Sequence, residues 1–394
     1  MFDTLYYDRS EWNLPDIDDM FGVPDVTPRE RGADELQKAL DKCGFNAKVG
    51  AVSVGPSVSR YEVIYEKNER IGRLPDLTTY IESALGVLSV RIVLPEIYRN
   101  SVYIEIPNSE AKIVPIRELL ACNVYKGFDG KLPLALGLGF DNTDYVIDLK
   151  KVHDLLVAGR TGSGKTVCIQ SLIISLLCKR NPDELKFVMI DPKIVGLSVY
   201  NGIPHLLMPV ITDPKKAVDV LRGILKEIKR RQTLFEEKSV HNIDRYNECV
   251  LSGSSDTASE CLPEIVVIID ELADIMMASY MEAESTICYI LQKGWQSGIH
   301  MIIATQRLST DIITGLIKAN MLRRIAFATV SAVDSRTIID MPGAEKLIGK
   351  GDMLLSVDEE PKRLQGVFAS DEEVGRIASF WKNQAEDNLE LFER

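Results

Sequence analysis

The octet Gly159-Arg160-Thr161-Gly162-Ser163-Gly164-Lys165-Thr166 fits GxxxxGK[ST] at every fixed position. Glycines at that spacing let the backbone wrap closely, so that successive N–H groups face phosphate oxygens. Lys165 can then reach the β- and γ-phosphates, and the Thr166 hydroxyl can ligate Mg²⁺. The octet follows an apolar run, Leu155-Leu156-Val157-Ala158, and precedes an apolar-periodic segment that starts at Val167. This is the strand, loop and helix setting that such a loop requires, and residues 159–167 are expected to cradle a nucleoside triphosphate.

A second constellation lies about a hundred residues on, where Ile265-Val266-Val267-Ile268-Ile269 runs into Asp270-Glu271. Five apolar residues bounded by Pro263 and by acids read as a buried parallel strand ending at the carboxyl edge of a sheet. An acid there can hold Mg²⁺ through water, and the next can polarise an attacking water, which makes Asp270 the metal-site acid and Glu271 the catalytic base. Paired acids after a strand also serve as a helix N-cap, and the residues alone leave that reading open. After the run Ile299 to Ala304 comes Thr305-Gln306-Arg307. Gln306 is placed to sense a γ-phosphate and pass on its loss, with a satisfied turn glutamine as the alternative.

The elements that must position these groups follow from the hydrophobic pattern. From residue 152 onward, strands (152–158, 185–190, 265–269, 299–304, 324–329) alternate with helices (165–179, 214–236, 281–295). This implies an α/β fold with a mostly parallel sheet, helices on both faces and a ligand site along the carboxyl ends of the strands. Upstream, Tyr61, Val63 and Tyr65 alternate with Glu62 and Glu66, and Val102, Ile104 and Ile106 with Tyr103 and Glu105. That pattern reads as a small α+β domain over residues 34–150. Residues 1–33 read as a flexible arm, 151–386 as the nucleotide-binding domain and 387–394 as a frayed tail. Residues 252–259 read as a polar surface loop, and 350–368 as a hairpin turning near Asp358-Glu359-Glu360-Pro361.

Composition sets the outer limits. A chain of 394 residues, 45% hydrophobic and 26% charged, has the make-up of a globular protein with room for two domains. No stretch reaches the apolar length of a membrane span, and the start of the chain, with Asp3, Asp8 and Glu11, has no basic n-region, so a cytoplasmic protein is expected. Seven cysteines without CxxC pairing are expected to pack as thiols rather than bind zinc or form disulfides. A net charge of −12 excludes a protein that coats nucleic acid with its whole surface, though not one that meets it through a few basic loops.

Several longer stretches carry a family resemblance: His153 to Gly159 with the phosphate loop, Met189-Ile190-Asp191-Pro192-Lys193, Leu197 to Leu206, Gly298-Ile299-His300, Ala304-Thr305-Gln306-Arg307, Ile313 to Asn320, Arg324-Ile325-Ala326-Phe327 and Asp334 to Ile338. Together they resemble the motor of FtsK/SpoIIIE-type DNA translocases, and Gly55 to Glu62 resembles the start of that family's small α domain. The resemblance implies a RecA-like P-loop NTPase domain, assembly as a homo-hexameric ring, double-stranded DNA as the partner and ATP with Mg²⁺ as cofactors. It further implies that an arginine completes a neighbouring subunit's site, which by motif position falls on Arg324, with Arg336 second. Gly196, Trp295 and Leu308 depart from the residues common in the family. A motor in DNA transport needs sequence-blind phosphate contacts, for which Arg307, Lys318, Arg336, Lys362 and Arg363 are the candidates. Related motor folds also drive polypeptide secretion, so a protein-secretion ATPase is the alternative, and a partner anchored in the membrane is compatible with either.

Overall fold

The computed structural model describes residues 12–22, 32–66, 72, 74–93, 100–252, 260–357 and 361–390. The expected loop at 253–259 and the hairpin turn at 358–360 lie outside the described residues, as do most of the expected arm and the last four residues of the expected tail.

A small antiparallel sheet is built from β1 (Ala47–Val54), β2 (Val58–Tyr65), β3 (Arg91–Val93) and β4 (Ser101–Pro107) in the order β1-β2-β4-β3. The alternation read from sequence places Tyr61, Val63, Val102, Ile104 and Ile106 in one core with Leu36 and Leu40 of helix Ala33–Lys42 and Ile81 of helix Thr78–Leu85. Glu105 departs from the expected solvent face. It is buried, for reasons set by the second domain.

The large sheet has nine strands in the order β6-β5-β13-β12-β11-β7-β10-β9-β8. Its parallel part comprises β7 (Asp154–Ala158), β8 (Leu185–Ile190), β9 (Glu264–Ile269), β10 (Ile299–Thr305) and β11 (Arg324–Phe327). The expected hairpin is present as β12 (Asp352–Ser356) and β13 (Lys362–Gly366), which continue the sheet antiparallel. Beyond it lie β5 (Pro133–Gly139) and β6 (Asp144–Asp148), also antiparallel. Residues 133–148, placed by the sequence reading at the end of the small domain, therefore belong to the large one, and the boundary at 150 moves upstream. The physical reason is burial: every residue of β5 is buried, the signature of a strand covered on both faces. Two apolar layers cover the sheet, one around helix Lys165–Leu177 and Trp381 of helix Asp371–Glu390, the other around helix Pro214–Glu237.

Part of the expected arm is not an arm. Trp12 packs on Trp381 with ring centroids 6.1 Å apart, Asn13 exchanges hydrogen bonds with Gln384, and Phe21 is buried in the main core. Apolar anchors at both ends of this short segment overcome the Asp- and Pro-rich composition between them.

At the end of the sheet away from the phosphate loop, Asp154 is buried and accepts the Met301 N–H at 2.7 Å. Burial drives its carboxyl up to about 7, against the opposing pull of His300 and of that N–H. An acid whose folded value lies above its unfolded one holds its proton more tightly in the fold, so its contribution falls as pH rises from about 4 to about 7. Urea unfolding of wild type and Asp154→Asn at pH 5 and pH 8 should show wild type losing on the order of 3 kcal/mol relative to the variant. An equal gap between the two proteins at both pH values would remove Asp154 as the source.

Candidate nucleotide site

The phosphate loop leaves β7 at Ala158 and feeds helix Lys165–Leu177. Two glycines have contacts that fix their identity. A Cβ at Gly159 would lie 2.6 Å from the Phe327 Cβ, and one at Gly164, where φ is +116°, would lie 2.7 Å from the Gly351 nitrogen. The Gly351 N–H donates to the Ser163 carbonyl at 3.0 Å and the Arg160 N–H to the Ala328 carbonyl at 2.9 Å, so both hairpin base and β11 hold the loop. Lys165 Nζ donates to the carbonyls of Gly159 at 2.6 Å and Arg160 at 3.0 Å. Burial lowers its pKa to about 8, against the attraction of Glu271 and Asp270. The ammonium of Lys193 lies close enough to add to that lowering.

Beside the loop, β9 delivers Asp270 and Glu271, which are 9% and 1% exposed. Asp270 is raised to about 6, first by burial and then by the neighbouring carboxylates of Asp191 and Glu271. Asp191 is fully buried, and its Oδ1 has no hydrogen-bond partner. Of these carboxylates, Asp270 and Asp191, the latter with an orphaned oxygen, are the ones that would face a divalent cation. Among the described residues no group of three or more His, Cys, Asp or Glu could hold an ion unaided. A Mg²⁺ ion characteristically keeps several waters and takes one or two carboxylates plus substrate phosphates.

Glu271 is a helix N-cap, and the same carboxylate also faces the neighbouring strand. Its Oε1 lies 3.4 Å from the Ala273 N–H and caps helix Leu272–Ala278. The same carboxylate accepts from the Thr305 hydroxyl at 2.7 Å and the Gln306 N–H at 3.2 Å, while Oε2 accepts from Lys193 Nζ at 2.6 Å. Gln306 is in turn bonded to the phosphate loop, its Oε1 accepting from the Thr161 hydroxyl at 2.7 Å. The glutamine thus bridges the phosphate loop and Glu271.

Lys193 and Asp191 were not singled out for chemistry from sequence, although both stand in the quoted stretch Met189 to Lys193. The signal was there: a lysine two residues after an acid at the end of the strand beside β9. Gly196 has a clear local role, because a Cβ there would meet Thr166 Cγ2 at 3.1 Å and Gln170 Nε2 at 3.3 Å. Its glycine lets this loop lie against the first turn of the phosphate-loop helix. Trp295 stacks on His153 at 4.6 Å, immediately before β10 at the end of the sheet opposite the site. Leu308 packs against the second apolar layer.

The other cations divide sharply. Arg324, expected to reach a neighbouring subunit, is buried instead: its guanidinium donates to the carbonyls of Lys318, Met321 and Ile338 and pairs with Asp340. It ties the ends of two short helices to β11, with four of its five N–H donors engaged. Arg363, expected to contact DNA, is also buried, bidentate to Asp352 and 2.8 Å from Glu105. Burial works to raise Glu105, but Arg363, Arg91 and Arg60 outweigh it and hold the carboxyl at about 2. Lys318 is half-buried and paired with Asp340 at 2.7 Å. Arg307, Arg336 and Lys362 are exposed, Lys362 lying over the Tyr145 ring at 5.7 Å.

A parallel five-strand core with a phosphate loop after β7, two acids after β9 and a glutamine after β10, the strand between them, defines a P-loop NTPase. The FtsK/SpoIIIE family model matches residues 116–310, and the FtsK alpha domain model matches residues 23–108. The chain belongs to the FtsK/SpoIIIE family. It is 45% identical over 354 residues to the DNA translocase FtsK of Clostridium tetani, covering 89% of this chain and 47% of that protein. It is 46% identical over 384 residues to the DNA translocase SftA of Bacillus subtilis, covering 95% of this chain and 40% of that one. The chain thus spans about half the length, or less, of these relatives. Among solved structures, the monomer form of the pCW3 conjugation coupling protein TcpA with ATPgS shares the fold, with a TM-score of 0.61 at 21% identity over 89% of this chain and 99% of that one. The cytoplasmic domain of the Thermomonospora curvata Type VII secretion ATPase EccC gives a TM-score of 0.59 at 22% identity over 68% of this chain and 34% of that one.

Proposed function

We propose that this chain is an ATP-driven motor that moves double-stranded DNA, acting in the cytoplasm as a hexameric ring with the duplex in its channel. The observation that carries the reading is the convergence of Lys165, Asp270, Glu271 and Gln306 at one sheet edge, with Gln306 bonded to both loop and base. The relatives named DNA translocases, alike over nine-tenths of the chain, support DNA as the cargo. The secretion ATPase shares only the fold at its level of identity and lends a polypeptide cargo no further support. Among the described residues no helix is long and apolar enough to cross a membrane.

In this mechanism residues 159–167 bind the triphosphate through backbone N–H groups, and Lys165 leaves its loop carbonyls for phosphate oxygens. Thr166 and Asp270 would hold Mg²⁺, which when bound offsets charge on the β- and γ-phosphates. Glu271 accepts a proton from water as the water oxygen bonds to the γ-phosphorus and the bond to the β-bridging oxygen breaks, releasing ADP and phosphate. Gln306 transmits the loss of the γ-phosphate to the segment that follows, and the exposed cations Arg307, Arg336 and Lys362 supply phosphate contacts to DNA.

The test is the rate of ATP hydrolysis with and without long duplex DNA. Duplex should raise the wild-type rate, Lys165→Ala should abolish it under both conditions, and neutralising Arg307, Arg336 and Lys362 together should weaken DNA binding about tenfold or more at moderate salt. A wild-type rate indifferent to DNA but raised by a substrate polypeptide would overturn the DNA reading.

A further inference from the structure

The four donors around Glu271 are not equivalent. Three belong to fixed structure: the Ala273 N–H in the helix that Glu271 caps, and the Thr305 hydroxyl and Gln306 N–H at the end of β10. The fourth, Lys193 Nζ at 2.6 Å, sits on a flexible stem whose side chain is 36% exposed, whereas that of Glu271 is 1% exposed. A general base needs an oxygen within hydrogen-bond reach of the water it activates. Here both oxygens are engaged and closed off from solvent, and Lys193 is the one donor of the four that can leave without unravelling a strand or a helix.

The segment presenting Lys193 is held with unusual firmness. Asp191 Oδ2 accepts from three consecutive N–H groups, those of Val195 at 3.0 Å, Gly196 at 3.1 Å and Leu197 at 3.1 Å. Ile194, a β-branched residue, is held at a φ of +56°, in the left-handed region that such side chains avoid. Its side chain gains no burial in return, since Ile194 is 63% and Val195 70% exposed. Strain that packing does not offset belongs to a segment whose shape is set by a site, and this one aims an ammonium at the base.

We propose that Lys193 is a nucleotide-responsive lock on Glu271: paired, its ammonium keeps the carboxylate from water, and an arriving γ-phosphate draws the ammonium away and frees Oε2 to accept the proton. The inference rests on the reading of Glu271 as the base of an ATPase. It makes Lys193 a positioning residue, acting through Glu271, and couples activation of the base to occupancy by triphosphate rather than diphosphate.

The experiment is steady-state ATP hydrolysis by the full chain with Mg²⁺ and no DNA. Lys193→Met, which keeps the stem and removes the charge, should raise kcat about three- to tenfold while KM for ATP stays within about twofold. Lys193→Arg should return both to wild type. Should thermal unfolding show Lys193→Met to be misfolded, Lys193→Gln makes the same comparison. An unchanged or lowered kcat in the neutral variant overturns the lock, as does a rise that Lys193→Arg fails to reverse. Lys165→Ala separates this from failure of the broader reading: if wild type shows no Lys165-dependent hydrolysis, the ATPase assignment falls, and the lock with it.

Discussion

Glu271→Gln should lower ATP turnover by about a hundredfold or more while leaving ATP binding near wild type, since positioned proton transfer contributes roughly 10²–10⁴ in rate. The substitution is a narrow probe. Gln keeps an oxygen that can still accept the Thr305 hydroxyl and Gln306 N–H, so the link from β10 to the phosphate loop survives. What is lost is the basicity that receives the proton. Binding of a fluorescent ATP analogue measured beside phosphate release separates the two effects, because loss of a group needed only during reaction lowers kcat without raising the dissociation constant. Turnover within about threefold of wild type would take Glu271 out of the role.

The second large effect concerns stability. Arg363→Met should destabilise the protein by about 3–5 kcal/mol, because removing one partner of a buried ion pair leaves the others uncompensated. Asp352 loses a bidentate partner, and Glu105 loses a cation that reaches it from the large sheet, keeping Arg60 and Arg91 of its own sheet. The adjacent Lys362 is exposed, and Lys362→Ala should cost no more than about 0.5 kcal/mol. Urea unfolding of the two variants makes the contrast direct, and comparable losses at both positions would contradict the structure's account of Arg363. The linkage also has a sign in pH: Glu105 is held at about 2, so its contribution is intact above the usual carboxylate range and is lost as pH falls toward that value.

These residues show where sequence reasoning reaches and where it stops. The phosphate loop and the acids of β9 were legible because each is a contiguous motif whose chemistry and setting lie within a few residues. The strands of the small sheet were legible because alternation is local. Arg324 and Arg363 were misplaced because a cation at a strand terminus looks alike whether it faces water or a buried acid. The acid that settles the matter for Arg363, Glu105, is 258 residues away. Trp12 posed the same difficulty across the whole chain, as its partner is Trp381. The membership of β5 was readable in principle, since Pro133 to Gly139 carries no polar residue, yet its neighbour β13 comes more than two hundred residues later. Lys193 stood in a stretch quoted for its resemblance, and only geometry showed that it faces Glu271.

The order of the central strands carries a consequence for how the protein is made. Strand β7 lies between β10 and β11, with Asp154 paired to Met301 and Leu156 to Arg324. Its earlier-synthesised neighbours in the chain, β5 and β6, join the sheet only through β13 and β12. During synthesis the phosphate-loop strand must therefore wait through nearly 150 residues of chain, 147 from Asp154 to Met301, before its first edge partner exists. Pairings of such long range make folding slow and leave an apolar strand open to wrong partners in the interval. Any chain interrupted before residue 299 would carry an intact loop sequence on a strand with both edges bare, able to aggregate and unable to hold a nucleotide.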